Sequence, residues 1–361
     1  MSFSESQAQD ALRQLVDPNT GKDYLTSRAV KNLKVGDGAV SLEIELGYPG
    51  KSQFEPIRAA VTQALRAAGA KSVSVSVRSR VVPHAVQRGV KPIAGIKNII
   101  AVASGKGGVG KSTTAVNLAL ALAAEGAAVG MLDADIYGPS QPTMLGISGR
   151  PESKDGKSLE PMEGHGIQAI SIGFLIDADT PMVWRGPMVT QALEQLLRDT
   201  RWRDLDYLVV DLPPGTGDIQ LTLAQKVPVT GAVIVTTPQD IALIDARKGL
   251  KMFEKVGIPI LGIVENMAIH ICPKCGHESH IFGSGGADRM SSDYKTELLG
   301  ALPLDEAIRE QADSGKPTVV ADPDGHVAEI YRAIARRCAV KIADLQKDLS
   351  SKFPNIVVQN T

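Results

Sequence analysis

The sequence predicts an α/β protein with a doubly wound, mostly parallel sheet, preceded by a small α+β domain. From residue 98 onward, short apolar runs alternate with segments of helical pattern, as expected for strands that are buried on both faces and joined by right-handed crossovers. The first 80 residues instead contain a run that alternates between apolar and polar residues, which is typical of a sheet with one face in water. The predicted strands of the larger unit are 98–104, 127–132, 168–172, 207–210, 232–236 and 260–264.

The N-terminal segment predicts the element order α-β-β-α-β. The turn between its first two strands is expected at Gly36-Asp37-Gly38, since glycine adopts positive φ readily. The expected helices are 6–15 and 54–68, and the expected strands are 29–35, 39–46 and 71–78.

Proline and glycine residues between 81 and 97 are typical of a linker. We therefore predict a small α+β domain at 1–82, a linker at 83–97 and a second domain at 98–361.

Composition limits the classes of function. The chain has 361 residues, 43% of them hydrophobic, which is enough to bury the cores of two domains. A formal net charge of −1 argues against general binding to nucleic acid or to a membrane surface. The first ten residues lack the basic and apolar regions of a signal peptide, and no run is long and apolar enough to span a bilayer. We expect a cytoplasmic protein that binds neither nucleic acid nor membrane.

The stretch Gly105-Lys106-Gly107-Gly108-Val109-Gly110-Lys111-Ser112-Thr113 follows the first strand of the larger domain and precedes an Ala/Leu-rich helix at 115–124. This is the setting of a phosphate-binding loop, in which backbone N–H groups and a helix N-terminus surround a polyphosphate. Lys111 is expected to reach the β- and γ-phosphates of ATP, Ser112 to ligate Mg²⁺, and Thr113 to contact the α-phosphate. The sequence therefore predicts a P-loop NTPase domain.

Lys106 occupies the second position of this loop and has two interpretations. It is either a solvated surface lysine or a cation that crosses a dimer interface to neutralise phosphate charge on the partner's nucleotide.

Carboxylates follow two other predicted strands. Asp133 and Asp135 follow the strand 127–132, where one could hold Mg²⁺ and the other could orient the attacking water. Asp211 ends an apolar strand and is expected in the metal shell, and the Pro/Gly-rich segment 213–217 after it is expected to sense the γ-phosphate. Asn266, at the end of the sixth strand, could pair with the edge of adenine.

Cys272 and Cys275 are two of only three cysteines, so a disulfide framework is implausible. A mononuclear zinc site with His277 and His280 has enough ligands, but the ligand spacing is unusually short. A thioredoxin-like redox pair would need a helix start, which the glycine-rich continuation disfavours. The remaining interpretation is half of a [4Fe–4S] site, completed by the same two cysteines of a second subunit.

The third cysteine, Cys338, lies on the apolar stripe of a predicted helix at 326–349. We expect that helix to pack on the core, although an amphipathic membrane anchor is the alternative.

Together these motifs resemble the Mrp/ApbC family of P-loop ATPases, relatives of MinD and of the nitrogenase iron protein. The N-terminal segment resembles the MIP18-like domain that often precedes such an ATPase. The matching stretches are 105–112, 133–140, Trp184-Arg185-Gly186-Pro187-Met188, 211–218, 265–267 and 272–276.

The resemblance implies a homodimer that slowly hydrolyses ATP, binds a [4Fe–4S] cluster at its interface, and passes the cluster to apo-proteins in concert with assembly scaffolds. It also implies that Lys106 acts in trans and that Asp135 orients water. The N-terminal domain contains no cysteine, so we expect it to recruit client proteins. The alternatives are a MinD-like positioning ATPase and an ATP-gated iron–sulfur reductase.

Overall fold

The computed structural model of the chain describes residues 3–87, 90–175 and 186–347. The helices are α1 Glu5–Arg13, α2 Phe54–Ala67, α3 Lys111–Ala124, α4 Gln141–Met144, α5 Gly186–Asp199, α6 Asp218–Lys226, α7 Asp240–Lys255, α8 Gly286–Asp293, α9 Glu306–Asp313, α10 Thr318–Ala321 and α11 His326–Ala343. The strands are β1 Val30–Gly36, β2 Ala39–Leu46, β3 Ser72–Ser79, β4 Ile96–Ser104, β5 Val129–Asp133, β6 Met162–Gly164, β7 Ile167–Ser171, β8 Leu205–Asp211, β9 Gly231–Thr236, β10 Ile260–Ile271, β11 Glu278–Ser279 and β12 Leu298–Pro303.

The N-terminal unit has the predicted order of elements. Its sheet has the strand order β1-β2-β3, with β1 antiparallel and β3 parallel to β2. Asp37 and Gly38 connect β1 to β2 with φ angles of 52° and 78°, the positive values that a two-residue hairpin turn requires. Apolar residues at helical spacing along α2, namely Ile57, Val61 and Leu65, are buried. The predicted α+β fold of this unit is therefore confirmed.

The larger sheet is mostly parallel and positions a ligand crevice. Its strand order is β11-β10-β9-β4-β8-β5-β7-β6, with β12 beside β10. Strand β4 lies between β8 and β9 and runs parallel to both. Strands β5 to β8 lie on one side of β4, and strands β9 to β12 lie on the other side. The direction of the strand order therefore reverses beside β4. Ligands bind outside the carboxyl ends of strands at such a point, and the loop 105–110 lies there.

Alternating residues of β4 belong to two separate cores. Ile100 and Val102 pack with α3 and α11 on one face, whereas Ile99, Ala101 and Ala103 pack with α5, α6, α7 and α8 on the other. Burial on both faces explains why these strands are continuously apolar. The stripe of α11 belongs to the first core, which confirms that this helix packs on the protein interior. No helix of the described residues has the length and apolar character needed to cross a membrane.

The N-terminal unit packs on the α3 and α11 face, where its apolar residues continue the same core. At the junction, the Ser52 hydroxyl donates to the Glu125 carboxylate over 2.7 Å and Arg336 donates to it over 2.6 Å. The ammonium of Lys22 lies 2.7 Å from Asp344. Contacts also fix part of the predicted linker, since Gln87 donates to the Ala224 carbonyl over 2.8 Å. The exact domain boundaries stay predictions.

For two elements, the residue at which the element ends in the structure differs clearly from the predicted one. Strand β10 extends to Ile271, whereas the prediction ended at residue 264, where the apolar run stops and polar residues begin. Helix α11 ends at Ala343, because the chain then pairs with the segment after β3: the Gln346 carbonyl accepts from the Ala85 N–H over 2.8 Å. Residues 348 and 349 of the predicted helix lie outside the described residues.

Candidate nucleotide and cysteine sites

The loop 105–110 connects β4 to α3 and depends on its glycines. Gly108 and Gly110 have φ angles of 79° and 80°, in the left-handed region that favours glycine. A Cβ atom on Gly105 would overlap the backbone of Asp245 on α7. The loop can therefore bring its backbone N–H groups close to an anion at the N-terminus of α3, which is the geometry that a polyphosphate needs.

Lys111 begins α3 and is only 5% exposed. Its ammonium forms an ion pair with the buried carboxylate of Asp211 at the end of β8, lies 3.8 Å from Asp135, and donates to the Ser112 hydroxyl over 3.2 Å. The structure thus brings together four of the predicted site residues, namely Lys111, Ser112, Asp135 and Asp211. The side chain of Thr113, also predicted to touch nucleotide, is half-buried in the first turn of α3.

Asp133 holds the loop after β5. Its carboxylate accepts hydrogen bonds of 3.0 to 3.2 Å from the N–H groups of Asp135, Ser140 and Gln141 and from the Ser171 hydroxyl. Burial raises the pKa of Asp133 to about 7, and the nearby charge of Asp211 adds to the effect. These donors occupy both oxygens, so a direct bond to Mg²⁺ would require rearrangement. The assignment of Asp133 to the metal shell stays a prediction.

Asp135 is nearly buried at the mouth of the crevice. Burial raises the pKa of Asp135, Lys111 opposes this shift, and Asp211 adds to it. A carboxylate with a raised pKa is a better proton acceptor than an ordinary aspartate. Its environment therefore suits the predicted role of orienting the attacking water.

Gln141 is a site residue that the sequence reasoning missed. It is 1% exposed, and its Nε2 donates to the Asp211 carboxylate over 2.9 Å and to the Ser112 carbonyl over 3.1 Å. Its Oε1 is buried without a hydrogen-bond partner among the described residues. The sequence feature that could have indicated Gln141 is its position directly after the motif stretch 133–140. The oxygens of Ser112, Asp211 and Gln141 are hard donors and fit a Mg²⁺ ion.

Lys106 is half-buried in the loop, and within the described ranges no carboxylate lies within ion-pair distance of its ammonium. The loop at 213–217 contacts the end of β4, immediately before the phosphate-binding loop, because the Gly215 N–H donates to the Ser104 carbonyl over 3.0 Å. Trp184 and Arg185 of the matching motifs lie outside the described residues.

Asn266 contacts the phosphate-binding loop directly. Its Nδ2 donates to the Val109 carbonyl over 2.9 Å, and a Cβ atom on Gly110 would overlap that nitrogen. Contact with adenine stays a prediction for this residue.

Cys272 and Cys275 lie in the tight turn that connects β10 to β11. The Gly276 N–H donates to the Cys272 carbonyl over 2.9 Å, and the Cys272 N–H donates to the His277 carbonyl over 3.0 Å. Hydrogen bonds from the Lys274 N–H, the Cys275 N–H and the Cys275 thiol lower the pKa of Cys272. The lowered pKa favours the thiolate form of Cys272, which is the form that soft metals bind. Cys275 is exposed and Cys272 is half-buried.

The described part of the chain contains no group of three or more His, Cys, Asp or Glu side chains placed to hold a metal ion. The side chains of Cys272, Cys275, His277 and His280 are thus not gathered around one point, which disfavours a mononuclear zinc site. This finding leaves the cysteine pair as an incomplete shell. Cys338 is fully buried, and burial raises its pKa to about 12, as expected for a structural cysteine.

Comparison with known proteins identifies both units. Residues 95–339 match the family model described as NUBPL iron-transfer P-loop NTPase, and residues 5–77 match one described as iron–sulfur cluster assembly protein. The iron–sulfur cluster carrier protein of Escherichia coli (strain K12) is 51% identical over 349 residues, which cover 94% of this chain and 95% of that protein.

Two solved structures have a similar fold. A nucleotide-binding protein in complex with ADP from Archaeoglobus fulgidus is 39% identical, with a TM-score of 0.57 over 64% of this chain and 90% of that one. The cell division ATPase MinD of Pyrococcus furiosus is 23% identical, with a TM-score of 0.51 over 66% of this chain and 97% of that one. The loop, the carboxylates and these matches lead to one conclusion: the chain belongs to the NUBPL-type iron-transfer P-loop NTPases and is a relative of the iron–sulfur cluster carrier proteins.

Proposed function

We propose that this protein is a homodimeric, ATP-hydrolysing carrier that binds a [4Fe–4S] cluster between its two subunits and transfers it to apo-proteins. The observation that carries this proposal is the incomplete shell at Cys272 and Cys275. A [4Fe–4S] cluster takes four thiolates. Each chain offers two in this turn, one exposed and one half-buried, and among the described residues no third His, Cys, Asp or Glu side chain joins them in a metal-binding group. A two-fold axis beside the turn supplies the missing pair.

The nucleotide site supports the ATPase half of the proposal. Lys111 binds the β- and γ-phosphates, Ser112 and Asp211 hold Mg²⁺, and the glycine-rich backbone at 105–110 surrounds the phosphates. Mg²⁺ supplies charge neutralisation on the transferred phosphoryl group. Asp135 orients the attacking water and accepts its proton, for which its raised pKa is suited. Lys106, which has no carboxylate partner among the described residues, neutralises phosphate charge on the other subunit's nucleotide.

A positioning ATPase that binds membranes is disfavoured. The resemblance to MinD at 23% identity concerns the fold alone. The apolar stripe of α11, which would have been its anchor, is buried against α3 and β12. A positioning role also leaves the cysteine turn without a purpose.

Anaerobic reconstitution with iron and sulfide tests the proposal. We expect a [4Fe–4S] absorption spectrum on a dimer, with about two cysteines required per subunit, and transfer of the cluster to an apo-acceptor. The double variant Cys272→Ala/Cys275→Ala should fold and bind ATP without a cluster. Cys338→Ala is the matched control and should load normally. A double variant that still holds the cluster would sink the proposal, and a stable cluster that cycles between redox states without transfer would favour a reductase instead.

A further inference from the structure

Strand β10 runs from the nucleotide site to the cysteine turn, and it is not straight. It pairs in parallel with β9 through Glu265 and with β12 on its other side. The register with β12 shifts between Glu265 and Ile269, where three residues of β10 lie opposite a single residue of β12. At the centre of this bulge, Met267 has a φ of 57°, which is uncommon for a residue other than glycine. The strand therefore has a corner at Met267.

The part before the corner is attached to the nucleotide site. The buried carboxylate of Glu265 accepts from the N–H of Ala287 over 2.9 Å, which fixes the start of α8. The neighbouring Asn266 donates to the Val109 carbonyl over 2.9 Å. A Cβ atom on Gly110 would overlap the Asn266 amide, so a movement of the phosphate-binding loop toward β10 would displace that amide.

The part after the corner carries the cysteines on one small hairpin, which we call the arm and define as residues 268–280. The base of the arm is attached to the end of β12, because the Leu304 N–H donates to the Ile269 carbonyl over 2.8 Å. Within the arm, His280 Nδ1 lies 2.9 Å from the Ala268 carbonyl, and Ile271 pairs with Glu278. Only five residues separate Asn266 from Cys272, so a shift at the corner reaches the thiols through at most about 20 Å of extended chain.

We propose that Asn266 is a positioning residue that couples nucleotide occupancy of the phosphate-binding loop to the presentation of the Cys272–Cys275 thiols, with Met267 as the corner about which the arm turns. The inference rests on the proposed function, because it assumes that nucleotide and cluster use these two sites. When phosphates draw the loop's N–H groups toward themselves, the carbonyl of Val109 moves with the same peptide backbone. The hydrogen bond from Asn266 transmits that movement to the corner, and the arm follows.

Thiol reactivity of the cluster-free protein provides a readout that needs no cluster transfer. A maleimide labels Cys272 and Cys275, whereas Cys338 is buried and serves as an internal unreactive thiol. We expect saturating Mg-ATP to change the labelling rate of the wild-type pair several-fold. In Asn266→Ala the rate should be the same with and without nucleotide, with saturation verified by calorimetry.

Two further variants keep the test decisive. Asn266→Asp retains the shape of the side chain but lacks the donor, so it should fold and should also lose the response. Lys255→Ala, an exposed position at the end of α7, should respond as the wild type does.

Each result bears on one proposal only. A wild-type protein whose thiols ignore bound nucleotide, or an Asn266→Asp variant that keeps the full response, would overturn the coupling while leaving the carrier function intact. Failure of the wild type to load a cluster on Cys272 and Cys275 would instead overturn the proposed function, whatever the labelling shows.

Discussion

The ammonium of Lys111 forms an ion pair with the carboxylate of Asp211, and both side chains are buried. Asp135 lies 3.8 Å from the same ammonium. A nucleotide that brings phosphates to Lys111 would compete with these carboxylates, and a Mg²⁺ ion bound with it would offer Asp211 a new partner. Binding of Mg-ATP is then an exchange of partners that leaves no buried charge unpaired, which matters because an unpaired buried charge is costly.

Replacement of Lys111 should abolish ATP hydrolysis. Lys111→Ala leaves the phosphate charge unneutralised, and we expect turnover to fall by roughly 100-fold or more, measured as phosphate release. Lys111→Arg keeps the positive charge that Asp211 needs for folding, but its planar guanidinium presents that charge differently, so hydrolysis should also be lost. Lys255→Ala is the surface control. Wild-type turnover in either Lys111 variant would refute the assignment.

Replacement of Lys106 should remove hydrolysis while some ATP binding remains. Its action in trans can be tested by mixing Lys106→Ala subunits with Lys111→Arg subunits, each inactive by itself. In the mixed dimer, the first subunit keeps its own Lys111 and receives Lys106 from the second, so activity should return. An inactive mixture, with exchange of subunits verified, would show that Lys106 acts within its own subunit.

The sequence predicted those parts of the fold and the site that depend on local patterns. The apolar strands, the turn at Asp37-Gly38 and the phosphate-binding loop follow from residue type and spacing. The sequence did not predict Gln141, because no short-range pattern relates a glutamine on α4 to a carboxylate at the end of β8. Nor did it predict the contact between Asn266 and Val109, because these residues are 157 positions apart and only the tertiary fold brings them together.

The raised pKa of Asp133 should make stability depend on pH. Its folded pKa of about 7 lies above the ordinary value of 3.8, so the folded state binds more protons between these values and its stability falls as pH rises through 7. One such proton changes the free energy of unfolding by at most about 1.4 kcal/mol per pH unit. In Asp133→Asn, the free energy of unfolding measured with urea should depend less on pH between about pH 5 and pH 8. An unchanged slope in the variant would mean that another group titrates.

The buried pair Glu125–Arg336, at the junction between the N-terminal unit and the ATPase unit, should stabilise the folded chain. Both side chains are buried and lie 2.6 Å apart, and Ser52 of the N-terminal unit donates to the same carboxylate. Arg336→Met leaves Glu125 buried without its cation, and we expect a loss of about 3 to 5 kcal/mol in the free energy of unfolding. The double variant Glu125→Gln/Arg336→Met should recover part of this loss. Equal stability of the single variant and the wild type would contradict the expectation.

The thiol of Cys272 should react at lower pH than an ordinary cysteine. In the variant Cys275→Ala, two backbone N–H groups remain in the turn to stabilise the Cys272 thiolate, of which that of Lys274 contributes most. The rate of alkylation should therefore rise through a pKa below the usual value of about 8.5. Cys338 should stay unlabelled until the protein unfolds, because it is buried. A profile that rises only at the ordinary thiol pKa would show that the turn does not activate Cys272. Since iron binds thiolates and not thiols, a lowered pKa would increase the fraction of Cys272 that is ready to bind iron at neutral pH.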